Sequence, residues 1–256
     1  MAGNELEVVE YLFNNKDKIE LNHIGIVNEI GNPEKNKKGI VNVETYEELN
    51  SIKTANANKK ADIFLNEKGV SIKQKNGNFL FNRLQRAGIV SLFKLLNLDL
   101  DVNEFLEKFD AEVVKYHTQI RENREIKWQS FFSEADFKKI LKYLMMEGSP
   151  NKKSAYPAEY ILDAPKGIKK DSDIKVYTFD EFFDKYRTQI VFAIRRQWIG
   201  QKSNSENKRA VGLAKKRENQ QWVFEDVVGE PREWNTDFPI DQRRTVYFLM
   251  IELLSE

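Results

Sequence analysis

The chain has 256 residues, 41% of them hydrophobic and 32% charged, with a net charge of +1 and no cysteine. That length is enough to bury a large core, the composition excludes a disordered chain, and the lack of thiols excludes disulfides and thiolate metal sites. No apolar run reaches the roughly 20 residues that span a bilayer, and Met1-Ala2-Gly3-Asn4-Glu5 lacks the basic-then-apolar pattern of a secretory signal, so a cytoplasmic protein without membrane contact is expected.

Leu6, Val9, Leu12 and Phe13 recur at helical spacing and predict an opening helix over 4–14. Gly31-Asn32-Pro33 and the Asn/Lys-rich run to Gly39 read as a loop. Ala61 to Asn66 reads as a short strand and Glu67-Lys68-Gly69 as a turn. Val70 to Lys75 then alternates apolar and polar residues, the period of a second strand. After Asn76-Gly77-Asn78 a helix is expected from about Phe79 to Leu96.

Three later helices are marked by an oxygen acceptor followed three residues on by an acid: Asp101 with Glu104, Ser133 with Asp136, and Thr178 with Glu181. Tyr160-Ile161-Leu162 and Lys175-Val176-Tyr177 read as strands, Pro239 as a first helical residue, and Thr245 to Leu254 as a buried run. The pattern predicts an α/β fold, with α+β as the alternative: a mixed central sheet flanked by helices. Residues 1–186 are expected to form a core with helical elaboration and 187–256 a basic region on the same domain.

Charge is unevenly spread. From Arg187 to Arg217 there are nine Lys and Arg against one acid, Glu206, a net +8 that leaves −7 on the rest of the chain. A basic segment on an otherwise acidic protein is what a local phosphate-binding surface looks like, and a solvated basic loop looks the same.

The stretch from Asp62 to Lys75 carries the chemistry. It sets a carboxylate on one strand and Ser71-x-Lys73 on the next, where alternation puts Ser71 and Lys73 on one face. A carboxylate suits a hard cation, which lowers the pKa of a bound water, and a lysine beside that water orients it or stabilises phosphate charge. The register depends on the turn. A three-residue loop pairs Asp62 with Gln74, whereas an even loop or a bulge at Gly69 puts Asp62 on the face of Lys73. Two histidines, His23 and His117, leave little for a histidine-based site, and no GxxxxGK[ST] loop marks an ATP motor. His117 reads as a surface or packing residue.

This arrangement resembles the PD-(D/E)xK nuclease superfamily, which includes most type II restriction endonucleases. Asp62 matches the first acid and Lys73 the lysine, while Ser71 stands where an acid is usual and Ala61 where proline is usual. The resemblance covers the arrangement of residues 1–96. It implies a restriction-endonuclease-like core, Mg2+ (with Mn2+ as substitute) held by Asp62 and Ser71, and Lys73 acting on the attacking water. It also implies a glutamate on the first helix, for which Glu5 is the candidate. Arg83 and Arg86, in an amide-rich basic helix, and Lys75 are expected on the DNA backbone.

For sequence recognition the candidates are Arg195, Arg196, Lys202, Asn204, Lys208 and Arg209, since Arg suits guanine edges and Asn adenine edges. Lys215, Lys216 and Arg217 suit phosphate. Trp222, Phe224 and Trp234 read as local core. The function implied is site-specific hydrolysis of double-stranded DNA, by a homodimer or by two successive nicks from a monomer, with a separately encoded DNA methyltransferase as companion. The alternatives are a structure-specific repair or recombination nuclease of the same fold, a DNA-binding module without catalysis, and a domain whose basic segment meets an acidic protein.

Overall fold

The computed structural model describes residues 5–33, 39–51, 59–74, 81–98 and 100–254. In chain order its first elements are α1 (Glu5–Asn14), β1 (Glu20–Leu21), β2 (Gly25–Ile26), β3 (Ile30–Pro33), β4 (Ile40–Asn42), α2 (Tyr46–Ser51), β5 (Ile63–Leu65) and β6 (Lys68–Gln74). There follow β7 (Phe81–Leu84), α3 (Arg86–Leu96), α4 (Val102–His117), β8 (Glu125–Lys127) and α5 (Glu134–Lys142), the last continued by a π-helical turn over Tyr143–Glu147. The remainder is β9 (Gly148–Ser149), β10 (Lys152–Lys153), β11 (Tyr160–Ala164), β12 (Lys175–Tyr177), α6 (Phe179–Tyr186), β13 (Ile190–Ile199), α7 (Asn204–Ala214), β14 (Val223–Phe224) and β15 (Arg244–Leu253). The result is an α/β fold of mixed sheets flanked by helices. Among the described residues no helix is long and apolar enough to cross a membrane.

The elements fall into two units interleaved along the chain, one from residues up to 79 with 138–189, the other from 80–137 with 190–254. The first unit carries a six-stranded sheet in the order β12-β11-β6-β5-β3-β4, in which β11 runs parallel to β6 and the other pairings are antiparallel. Val8, Val9 and Leu12 of α1 are buried in one cluster with Ile63, Leu65, Val70, Ile72, Leu162 and Ala164. This one-in-two spacing on the strands puts those six side chains on one face of the sheet and leaves Asp62, Ser71, Lys73 and Asp163 on the other.

The second unit is built on β13 and β15, which pair antiparallel along all ten residues. β8 borders β13, while β14 and β7 both pair with β15 at different points of its length. Alternation divides β15 between two layers. Val246, Phe248 and Met250 pack with Ala210 and Leu213 of α7. On the opposite face Tyr247 meets His117 and Tyr116 of α4 edge-on. Phe109 stacks on Phe131 at 4.1 Å and meets Phe192 of β13 edge-on, the start of an aromatic core that includes Phe105, Phe132 and Phe137.

The predicted caps form. Asp101 accepts from the amides of Asn103 and Glu104, the Ser133 hydroxyl from the amide of Asp136, and Thr178 with Glu181 closes a reciprocal capping box. Three expectations are corrected. Gly31 to Pro33 lies in β3, with Gly31 paired to Asn42 and to Phe64, because strands on both sides complete its hydrogen bonds. Phe81 to Leu84 is a strand rather than the start of a helix, since Leu84 and Phe81 pair with Leu249 and Ile251 far along the chain. Pro239 precedes only a three-residue 3-10 turn (Ile240–Gln242), and the apolar run after it is the long strand β15.

Candidate active site

The site begins with a two-residue turn. Leu65 pairs with Lys68, so Asn66 and Glu67 alone connect β5 to β6, with φ of 47° and 65°. Both residues are left-handed, as a type I′ hairpin requires. The Asn66 side chain makes this tolerable: its Oδ1 accepts from the amides of Asn28 and Glu29, and its Nδ2 donates to the Ile26 carbonyl. The turn is therefore one residue earlier and one shorter than Glu67-Lys68-Gly69. Gly69 passes so near the next segment that a Cβ would stand 2.5 Å from the Pro157 carbonyl oxygen.

An even loop settles the register. Ile63 pairs with Val70, and the Asp62 amide donates to the Val70 carbonyl at 2.8 Å, so Asp62 stands opposite Ser71. Asp62, Ser71 and Lys73 consequently share one face. Where β5 ends, the Asp62 carboxylate takes over the ladder: Oδ2 accepts from the Ile72 amide at 2.8 Å and from the Ser71 hydroxyl at 3.4 Å. Both bonds land on one oxygen. Ser71 is buried, whereas Asp62 and Lys73 are half-buried.

Glu5, in the first turn of α1, belongs to the same group. Burial and then the charge of Asp62 raise its carboxyl above the usual range, while the charges of Lys73 and Lys59 pull it down. Two lysines that sequence reasoning missed complete the surroundings. Lys59 donates to the Asp62 carbonyl at 3.4 Å, and burial lowers its ammonium against the pull of Asp62 and Glu5. Lys60 donates to the Leu144 carbonyl in the π-helical turn at 2.5 Å. Burial first and the Lys73 charge second bring it down to about 8, with Asp62 opposing. Lys60 stands two residues before Asp62, a spacing that alternation could have flagged. Asp163 is the register partner of Lys73 on β11 and accepts from the Tyr186 hydroxyl at 3.2 Å. Only the parallel pairing reveals it.

The electrostatic picture is of two carboxylates, Glu5 and Asp62, among three lysines, with Asp163 next to Lys73 on the neighbouring strand. Among the described residues no group of three or more His, Cys, Asp or Glu is gathered to hold a metal ion. The serine at position 71 is the reason the hairpin supplies one acid rather than two.

The predicted DNA contacts separate into held and open side chains. Arg86 makes a bidentate bond to Asp110 at 2.8 Å and donates to the Glu218 carbonyl, and Asp110 also accepts from the Trp222 indole at 2.7 Å. Arg195 is paired with Glu252. The Arg196 guanidinium lies 4.9 Å from the Tyr116 ring centroid and 5.9 Å from that of Tyr247. Lys202 is paired with Glu233 at 2.6 Å. Arg83, Asn204, Lys208, Arg209, Lys215 and Arg217 are exposed, and Lys216 is exposed but donates to the Gln85 side-chain oxygen at 2.9 Å. Lys75 lies outside the described residues. His117 is buried, stacked on Phe224 at 3.9 Å with Nδ1 3.1 Å from the Tyr247 hydroxyl, and burial lowers its pKa. Trp222 is fully buried.

Neither a family model, nor a curated protein, nor a solved structure matches the chain.

Proposed function

We propose that this protein is a Mg2+-dependent endonuclease that hydrolyses phosphodiester bonds of double-stranded DNA at a specific site. One observation carries the reading: an even hairpin turn sets Asp62, Ser71 and Lys73 on one sheet face, with Glu5 close enough that its carboxyl responds to both charges. Glu5, Lys59 and Lys60 are all shifted from their ordinary values, and shifted groups of this kind concentrate at functional sites.

The donor set fits magnesium. Mg2+ takes one or two carboxylates and fills its octahedron with water and phosphate oxygens. Burial first and the like charge of Asp62 second push the Glu5 carboxyl up, and a divalent cation would relieve the repulsion between the two. When bound, the ion supplies a polarised phosphate and a more acidic water. Asp62 is oriented for this role by the Ile72 amide, which fixes Oδ2. The buried Ser71 hydroxyl supports that carboxylate, where a second acid would add another charge. Lys73 positions the attacking water and stabilises charge developing on the phosphate. Lys59 and Lys60 add positive charge on the Asp62 side, suited to a phosphodiester.

The test is incubation of purified protein with plasmid or phage DNA in Mg2+, in Mn2+ and in EDTA. Discrete, reproducible fragments formed only with metal are the expected result. Cleavage only at junctions or mismatches would move the function to structure-specific repair. Metal-independent binding with no cleavage in any condition would leave a DNA-binding module.

A further inference from the structure

The second unit presents a helix, α7, with one buried and one exposed face. α7 buries Ala210 and Leu213 against Val246, Phe248 and Met250. At 3.6 residues per turn, Asn204, Lys208 and Gly212 form one exposed row and Ser205 and Arg209 the row beside it. No acid lies in either row. Glu206, the single acid of the helix, precedes the buried Ala210 by one turn, outside both rows; it is exposed and acts on the charge of Arg83. Lys215, Lys216 and Arg217 extend the basic face past the helix end, all exposed. Arg83 of β7 stands beside it. The Arg83 guanidinium is 5.9 Å from the Phe248 ring centroid, and burial followed by the Arg209 charge lowers its pKa while Glu206 opposes. The residue is nonetheless exposed as a whole.

Gly212 stands in the middle of this face. Glycine inside a helix is unfavourable relative to alanine, and here nothing lies within 4 Å of the position a Cβ would take. Packing within the chain gives no reason for it. A missing side chain in the middle of a basic, acid-free face is explained by another backbone or base edge coming close from outside.

We propose that α7 is the helix that enters the major groove of duplex DNA. Asn204 and Lys208 face base edges, Arg209, Lys215 and Arg83 face phosphates, and Gly212 lets the helix axis sink toward the groove floor. This rests on the reading of DNA as the substrate but not on any catalytic role for Asp62. The chemistry fits, since the groove is about as wide as a helix with its side chains and the two exposed rows offer cations, an amide and a hydroxyl, with no acid, to a polyanion. The observations also reorder the recognition candidates: Arg195 and Arg196 are spoken for within the fold.

The test uses the full chain and needs no cleavage. Binding to plasmid-derived duplex fragments is measured in EDTA over a range of salt, alongside guanine N7 protection from methylation, an atom of the major groove. Three proteins are compared: wild type, Lys208→Ala/Arg209→Ala, and Gly212→Leu, with thermal unfolding of each. The double variant should bind at least tenfold more weakly, with the log–log salt slope shallower by about 1 for the phosphate contact of Arg209. Gly212→Leu should melt no lower than wild type, bind at least tenfold more weakly and lose N7 protection. Should both variants bind like wild type while DNA is still cut, α7 is overturned and the nuclease reading survives. Loss of binding in the variants, in a protein that never cuts, leaves α7 standing and removes the nuclease reading. Wild-type protection confined to the minor groove, tighter binding of RNA than of duplex DNA, or no duplex binding at all overturns the proposal.

Discussion

Replacing Lys60 with methionine keeps the length of the side chain and removes its charge. The ammonium is held at about 8 instead of 10.5, chiefly by burial and then by Lys73. At about 1.4 kcal/mol per pKa unit this corresponds to roughly 3 kcal/mol of destabilisation whenever Lys60 is charged in both states. The folded pKa lies below the unfolded one, so the unfolded chain binds more protons between pH about 8 and about 10.4. The Lys60 contribution to stability therefore rises with pH through that window, and below about 8 its whole penalty applies. Lys60→Met also loses the bond to the Leu144 carbonyl, worth about 1 kcal/mol. The variant should be more stable than wild type by about 2 kcal/mol at pH 7, with the advantage gone or reversed by pH 10. Urea unfolding of both proteins at pH 7, 8, 9 and 10 reads this as the difference between the two curves. Parallel curves across that range would instead put the Lys60 ammonium in water. A gain in stability together with a loss of DNA cleavage would show what the strained lysine is kept for.

Other outcomes are expected on the same grounds. Lys73→Ala should abolish metal-dependent cleavage while leaving DNA affinity within a few fold, and joint loss of both in a filter-binding and cleavage pair would assign Lys73 a structural role. Because the Glu5 carboxyl is raised by burial and by Asp62, divalent-ion binding should release protons and tighten as pH rises through its pKa. Calorimetry in buffers of different ionisation enthalpy would detect this, and Glu5→Gln should remove it. Arg86→Ala strands Asp110 beside the Trp222 indole and should lower stability by about 2–4 kcal/mol in urea unfolding, whereas an unchanged midpoint would mean that Asp110 is solvated. Glu67→Gly relieves the left-handed residue at the turn and should add about 0.5–1 kcal/mol to stability. A loss instead would mean that the Glu67 side chain holds the hairpin.

What the chain determines on its own is local. An N-cap acceptor three residues before an acid needs no distant partner, so Asp101, Ser133 and Thr178 announce their helices and the helices form. The stripe of α1 and the alternation through Val70 to Lys73 are equally legible, because period reports which face is buried. That is enough to nominate Asp62, Ser71, Lys73 and Glu5. It is not enough to bring them together. The turn sits at Asn66-Glu67, not a common type I′ pair, because Asn28, Glu29 and Ile26 hold the Asn66 amide group from a segment nearly forty residues earlier. That remote anchor sets an even loop, and the even loop sets the face of Asp62.

The same limit explains the other differences. Phe81 to Leu84 carries no strand period of its own and becomes one only when β15 lies beside it. Arg86, Arg195 and Arg196 look like DNA contacts in a basic stretch until Asp110, Glu252 and the rings of Tyr116 and Tyr247 claim them. Charge is countable in a sequence, but whether a cation is free to meet a phosphate depends on what tertiary packing has already set against it. Lys208 and Arg209 remain open on α7 because strand alternation in β15 buries the opposite side of that helix.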